Sequence, residues 1–187
     1  MIFFLGTTNT STIIISDRLE GVWDRSIVAG VTSAEILLTH FVTQLLIIIF
    51  QSALIMVLTF AIFKYTSEGS LVVITVLIFL QGLCGISYGF LISVFCSDHN
   101  SANILSTGVF YPMILTCGLV WPIESMPTVL RWISLCLPFT VPILSVRNVL
   151  KKGWGMTHLH VLNGVGLEIL WCVILGTISA YQLKKRR

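Results

Sequence analysis

LVVITVLIFLQGLCGISYGFLISVF, Leu71–Phe95, runs without one charged side chain. At 1.5 Å per residue, a helix of this length rises past the roughly 30 Å hydrocarbon core of a bilayer. Its neighbours follow suit. Segment 35–63 is charge-free from Phe41 onward, 101–121 carries no charge, and 161–183 carries only Glu168. Segment 1–16 is apolar but short of the roughly 20 residues a span needs, so it reads as a partial span. The fold class implied is an all-α membrane protein with about five transmembrane helices.

Composition agrees. Hydrophobic residues make up 56% of the 187-residue chain and charged residues 10%, against about 25% charged in soluble domains. The mean hydropathy is +0.96. One helical bundle fits this length, with no room for a soluble catalytic domain beside it. The net charge of +3 comes largely from a basic tail at 184–187, Lys184-Lys185-Arg186-Arg187, so nucleic acid is not an expected partner. The five cysteines fall mostly in apolar runs and read as buried thiols rather than a disulfide framework. Met1 to Leu5 lack the basic region of a signal peptide.

The polar breaks organise the chain. Asp17-Arg18-Leu19-Glu20-Gly21-Val22-Trp23-Asp24-Arg25 opens a region spanning 17–34. On one helix, Leu19, Val22 and Trp23 would form an apolar stripe opposite the charges. Trp121-Pro122-Ile123-Glu124-Ser125-Met126-Pro127 opens a longer one at 122–160, too apolar and proline-rich for an ordinary loop. Such a segment dips into the bilayer and returns, which is permitted where protein or a water-filled cavity covers its backbone. The basic tail beside the last span places the C-terminus in the cytoplasm by the positive-inside rule, and 122–160 outside. Arg18 and Arg25 then share the cytoplasmic side.

Here the chain resembles a known family. Asp-Arg-x-Glu-Gly ahead of a span is similar to the motif of ABC-2 type transporter permeases. Trp121 to Pro127, Arg131-Trp132-Ile133, Leu137-Pro138-Phe139-Thr140 and Arg147 resemble the same family's final region. The likeness is greatest to the arthropod subfamily H, relatives of subfamily G. The resemblance implies helices 2–6 of a six-helix domain, with a cytoplasmic coupling helix and an extracellular re-entrant segment, and hence the C-terminal part of a longer product. No phosphate loop of the form Gly-x-x-x-x-Gly-Lys-Ser/Thr occurs in the sequence. The chain is therefore expected to be no enzyme and to hold no cofactor. ATP and magnesium would belong to a nucleotide-binding domain acting as its partner, fused upstream or separate. A second transmembrane half would complete a homo- or heterodimer.

By this resemblance Asp17, Arg18, Glu20, Gly21 and Arg25 couple to the ATPase domain, Gly21 as a turn or close-approach point. Trp121, Pro122, Glu124, Pro127 and Arg147 shape the outer re-entrant segment, with Pro127 in the first turn of a helix. Arg147 and Lys151, one turn apart, read as snorkelling anchors. Glu168 is a possible intramembrane polar site with a structural or interfacial role, reaching water or pairing with Lys151, Lys152 or a histidine, and a proton-coupled role is the alternative. Gly85 and Gly89 have the small-x-x-x-small spacing that lets helices approach, more simply within the chain than between chains. His158 and His160 lack a third metal ligand, and Asp98-His99 lacks a nucleophile. The function implied is the membrane part of an ATP-driven exporter of lipids or other hydrophobic molecules. The alternative is a passive channel or structural membrane protein. The plasma membrane is the expected location. Lys184-Lys185 also fits a retrieval signal to the endoplasmic reticulum.

Overall fold

The computed structural model describes residues 1–119, 122–155 and 158–185. Among these the chain is all-helical, with eight α-helices: α1 (Ile2–Leu19), α2 (Val22–Val28), α3 (Ser33–Met56), α4 (Leu71–Phe95), α5 (His99–Thr116), α6 (Thr128–Cys136), α7 (Thr140–Lys152) and α8 (Leu159–Lys185).

Local chemistry sets several of the ends. A capping box opens α3: Glu35 N–H donates to Thr32 Oγ1 at 3.4 Å, and Thr32 N–H donates to Glu35 Oε2 at 2.7 Å. The helix continues through a π-helical segment, Val57–Ile62, and stops before Lys64, whose φ is +48°. Asp98 caps α5 by accepting from Ser101 N–H at 2.9 Å. That helix ends at Thr116 rather than near residue 121, since Gly118 at φ +84° turns the chain off the helical path.

Three helical stretches are long and apolar enough to cross a bilayer: Ala34–Ile62, Leu71–Phe95 and Leu159–Ser179. Both α1 and α5 fall short of that standard. Each has 18 residues, about 27 Å of rise. Each also carries a polar run: Thr7 to Ser11 in α1, Asn100 to Asn103 in α5. The expected five spans are thus three full-length helices and two shorter, more polar ones that lean on them.

The tightest packing joins α1 to α4. They run parallel, Phe3 beside Gly85, Thr7 and Thr10 beside Gly89, and Arg18 beside Ser93. A Cβ added to Gly85 would stand 2.5 Å from the Phe3 carbonyl oxygen, and one on Gly89 2.7 Å from that of Thr7. Hydrogen at these positions lets the two backbones meet, and Thr7 Oγ1 donates to the Gly85 carbonyl at 3.1 Å. On a neighbouring face of α4, Ile48 of α3 fills the notch at Gly82. Along α8, Cys172 lies against Leu80 at 4.0 Å. Four apolar clusters result among the described residues, and two of them are larger than the rest. Phe3, Cys84, Phe110, Phe139 and Leu175 form one; Val73, Leu77, Val149 and Val161 form the other.

These contacts order the bundle. Helices α1, α4 and α8 run one way, and α3 and α5 run the other. The α1–α3 connection, the α4–α5 turn and the end of α8 therefore share one end, and α6 and α7 lie toward the opposite one.

Substituting Gly85 by Ala pushes a Cβ against helix backbone that has no rotamer to yield. The expected cost is about 1–3 kcal/mol, read as a lowered melting temperature in detergent. Gly176→Ala is the control and should leave the melting temperature unchanged or raised, because nothing lies within 4 Å of the Cβ position there.

Candidate functional site

At the first end, α1 does not stop at residue 16. It carries Asp17 and Arg18 in its last turn, then breaks at Glu20 and Gly21. Gly21 has φ +68°, a left-handed conformation that suits glycine, and nothing lies within 4 Å of where its Cβ would be. Its role in the fold is a turn, not a close approach. The single amphipathic helix through Leu19, Val22 and Trp23 is consequently two helices meeting at an elbow, and the apolar stripe is divided between them.

Side chains lock the α1 arm of this elbow. Arg18 donates through Nη1 to the Ser93 carbonyl at 2.7 Å, and its guanidinium lies 5.3 Å from the centre of the Trp23 ring. Asp17 pairs with His40 of α3 at 3.1 Å. Arg25 turns back on the elbow, donating to the Glu20 and Gly21 carbonyls at 3.0 and 3.2 Å. Helix α2 has no buried residue, and Leu19, Ile27 and Val28 are exposed beside Glu20 and Asp24. The five proposed coupling residues thus divide. Asp17 and Arg18 tie the elbow to α3 and α4, Gly21 bends it, Arg25 braces it, and Glu20 faces outward. Sequence reasoning missed His40 and Ser93. His40, the one ionisable side chain between Glu35 and Lys64, was a signal within reach, whereas a carbonyl acceptor such as that of Ser93 leaves none.

Beside the elbow, α3, α4 and α8 frame an apolar cavity of about 380 Å³, lined by Leu37, Phe41, Phe90 and Val94 with Ser87 and Ser179.

At the other end, α6 and α7 form a pair bent by 85°. Pro122 precedes a short 3-10 turn, Ile123–Ser125, and Pro127 is the N-cap of α6, one position ahead of the expected first turn. Trp121 and the side chain of Glu124 lie outside the described residues. The bend is held inside the bundle. Phe139 packs on Phe3 with ring centroids 4.6 Å apart, and Trp171 Nε1 donates to the Cys136 carbonyl at 3.1 Å. Trp171 sits about 18 Å along α8 from its start, so the bend is deep rather than superficial. Ser134 donates to the Thr116 carbonyl, which satisfies polar groups that a bend would otherwise leave orphaned. Outward-facing Val129, Trp132 and Ile133 keep α6 apolar.

Arg147, Lys151 and Lys152 are exposed on α7. Lys152 Nζ lies 4.5 Å from the Trp154 ring centre, and His158 and His160 both stack on that ring at 5.0 and 5.5 Å. Among the described residues no cluster of three or more His, Cys, Asp or Glu could hold a metal. Asp98 and His99 are structural: Asp98 caps α5, and His99 Nε2 lies 3.4 Å from Ser16 Oγ. Glu168 departs from expectation. It is fully buried, with both carboxyl oxygens lacking a hydrogen-bond partner, and it reaches neither Lys151, Lys152 nor a histidine.

A family profile described as ABC-2 family transporter protein matches residues 1–181. This chain belongs to the ABC-2 transporter family. Among its relatives are ABC transporter G family member 20 of Dictyostelium discoideum, 25% identical over 95% of this chain and 24% of that protein. A second is the probable multidrug ABC transporter permease YbhR of Escherichia coli (strain K12), 31% identical over 95% of this chain and 48% of that protein. The chain therefore spans between a quarter and a half of these relatives' lengths.

The α5 cap of this ABC-2 domain gives a pH test beside the elbow. The Ser101 backbone N–H, then its side chain, holds the Asp98 carboxyl below the usual carboxylate range. A carboxyl lowered in the folded state contributes stability above its unfolded value, near pH 4, and loses it as pH falls through the folded value. Asp98→Ala should lower the melting temperature at neutral pH, and the gap from wild type should close as the buffer is taken below about pH 4.

Proposed function

We propose that this chain is the membrane part of an ATP-driven exporter that moves lipids or other hydrophobic molecules between leaflets. The observation that carries the reading is the pairing, in an ABC-2 domain, of an exposed elbow at one end with a buried bend at the other. The two are connected by α1: Arg18 and Asp17 at the elbow, Phe3 against Phe139 at the bend. In this reading ATP is hydrolysed, with magnesium, on a nucleotide-binding domain that docks against Glu20 and α2. A second transmembrane half completes the pathway. The elbow and the C-terminus then lie in the cytoplasm and the α6–α7 bend toward the outside, in the plasma membrane. Lys184-Lys185 retains the endoplasmic reticulum as the other address.

Apolar cargo is supported by the cavity beside the elbow, whose walls are mostly hydrocarbon. It is supported too by the multidrug description of YbhR. The G family relatives, together with the motifs at 17–21 and 121–127, support a place beside subfamilies G and H.

The test is movement of labelled lipid by the full-length protein with its ATPase domain in sealed vesicles. Glu20→Ala removes an exposed charge without touching the core. ATP-driven movement should fall roughly tenfold, the effect of about 1.4 kcal/mol of lost coupling, while basal ATP hydrolysis persists. Transport at the wild-type rate in that variant would remove Glu20 from the docking surface. Absence of any ATP-dependent movement in wild type would end the exporter reading.

A further inference from the structure

Glu168 lies on the inward face of α8 with Val161, Cys172 and Leu175. The alignment of α7 against α8 fixes what stands opposite. Ser145 Oγ donates to the His160 carbonyl at 2.9 Å, Gly164 abuts Ser145 and Pro142, and Trp171 reaches the Cys136 carbonyl. Between Gly164 and Trp171, α8 therefore faces the 137–139 bend, and Glu168 falls within that stretch. Its side chain is 0% exposed, and neither oxygen has a partner.

An ionised carboxylate in that setting is strongly unfavourable unless a counter-charge or donors compensate. None is supplied. From α4, Leu77, Gln81 and Cys84 share the inward face, the Gln81 amide being neutral and without a partner; α7 turns Thr140, Pro142, Ser145 and Val149 inward; α5 contributes Phe110 and Cys117; α8 itself adds Cys172. The ionisable groups in this set are thiols, which cannot bring positive charge. Arg147, Lys151 and Lys152 are exposed on α7. The contact of Asp17 with His40 lies at the elbow end. Glu168 lines neither the cavity beside the elbow nor the groove between α7 and α8. A proton meets the requirement in no extra volume.

We infer that Glu168 is a proton-binding site, its carboxyl neutral while α4, α8 and the α6–α7 bend are closed around it. Withdrawal of the bend admits water, and the proton passes from the carboxyl oxygen to that water. Rising pH then favours the open arrangement. Protonation stands independently of the exporter reading; the release step rests on it, because release needs the bend to move.

Infrared difference spectra of the full-length protein in lipid test the first step. Wild type at neutral pH should show a carboxylic-acid carbonyl band that shifts in D₂O and is missing from Glu168→Gln. Identical spectra in this region for the two proteins would overturn the assignment. Should Glu168→Gln not fold, Glu168→Met supplies the apolar comparison at similar length, with a cooperative melting transition as the criterion of folding. Vesicle transport tests the second step: the alkaline decline expected of wild type should be absent in Glu168→Gln. The same decline in both would overturn the release step. A wild-type carboxyl band without ATP-driven transport would retract the exporter reading and leave the proton site standing.

Discussion

The structure depends on one close approach, the backbone of α1 seated against Gly85 and Gly89 of α4. Without side chains at these two positions the helices meet at backbone distance, and Thr7 adds a hydrogen bond to the Gly85 carbonyl. Between apolar helices in a bilayer the hydrophobic effect gives little drive, so close packing and interhelical hydrogen bonds must supply the attraction. That explains how a short helix with a polar middle holds a central place. Thr7 and Thr10, fully buried, face α4 rather than lipid. The same seating sets the position of both ends of α1. Arg18 reaches the carbonyl of Ser93 at one end, and Phe3 joins the aromatic group of Phe110 and Phe139 at the other.

The bend between α6 and α7 answers a different constraint. A chain that turns inside a membrane must satisfy its free backbone groups internally. Two such groups have visible partners. The Cys136 carbonyl at the end of α6 accepts from the Trp171 indole, and the Thr116 carbonyl at the end of α5 accepts from Ser134. Apolar packing does the remainder. Phe139 fills the space among α1, α4 and α5, while the exposed face of α6 presents Val129, Trp132 and Ile133 to its surroundings. The bend is therefore part of the core.

Much of this could be read from the residues. The charge-free run at Leu71–Phe95 is α4, and the glycine spacing within it is where α1 packs. The Pro-rich start at 122 marks the 3-10 turn and the opening of α6. Other features left weaker traces. The division of the elbow at Gly21 is a conformational fact: a helical stripe through Leu19, Val22 and Trp23 is the same pattern whether or not φ reverses between them. The shortness of α5 depends on Gly118 taking a positive φ, a choice glycine permits but does not announce. Glu168 was visible as an anomaly, yet its isolation was not, because proximity in sequence to Lys151 and Lys152 suggested partners that the α7–α8 geometry carries away.

The two candidate regions are joined by a single rigid element. A helix packed backbone to backbone cannot absorb a displacement by side-chain rearrangement, since close-packed interfaces shift between discrete arrangements instead of deforming smoothly. In the proposed cycle a load on the elbow is delivered to α1 through Arg18 and Asp17, and α1 can respond only by carrying α4 with it or by slipping along the glycine groove. Either movement displaces Phe3 from Phe139. The bend then loses a wall of its aromatic seat, and α8, tied to the bend through Trp171, loses contact beside Glu168. A neutral carboxyl is the form that such a closed wall tolerates, and water entering at the bend would favour the charged one. Both the mechanical path and the polar site thus converge on residues 137–139, which makes that bend, more than the elbow, the place where the closed state is held.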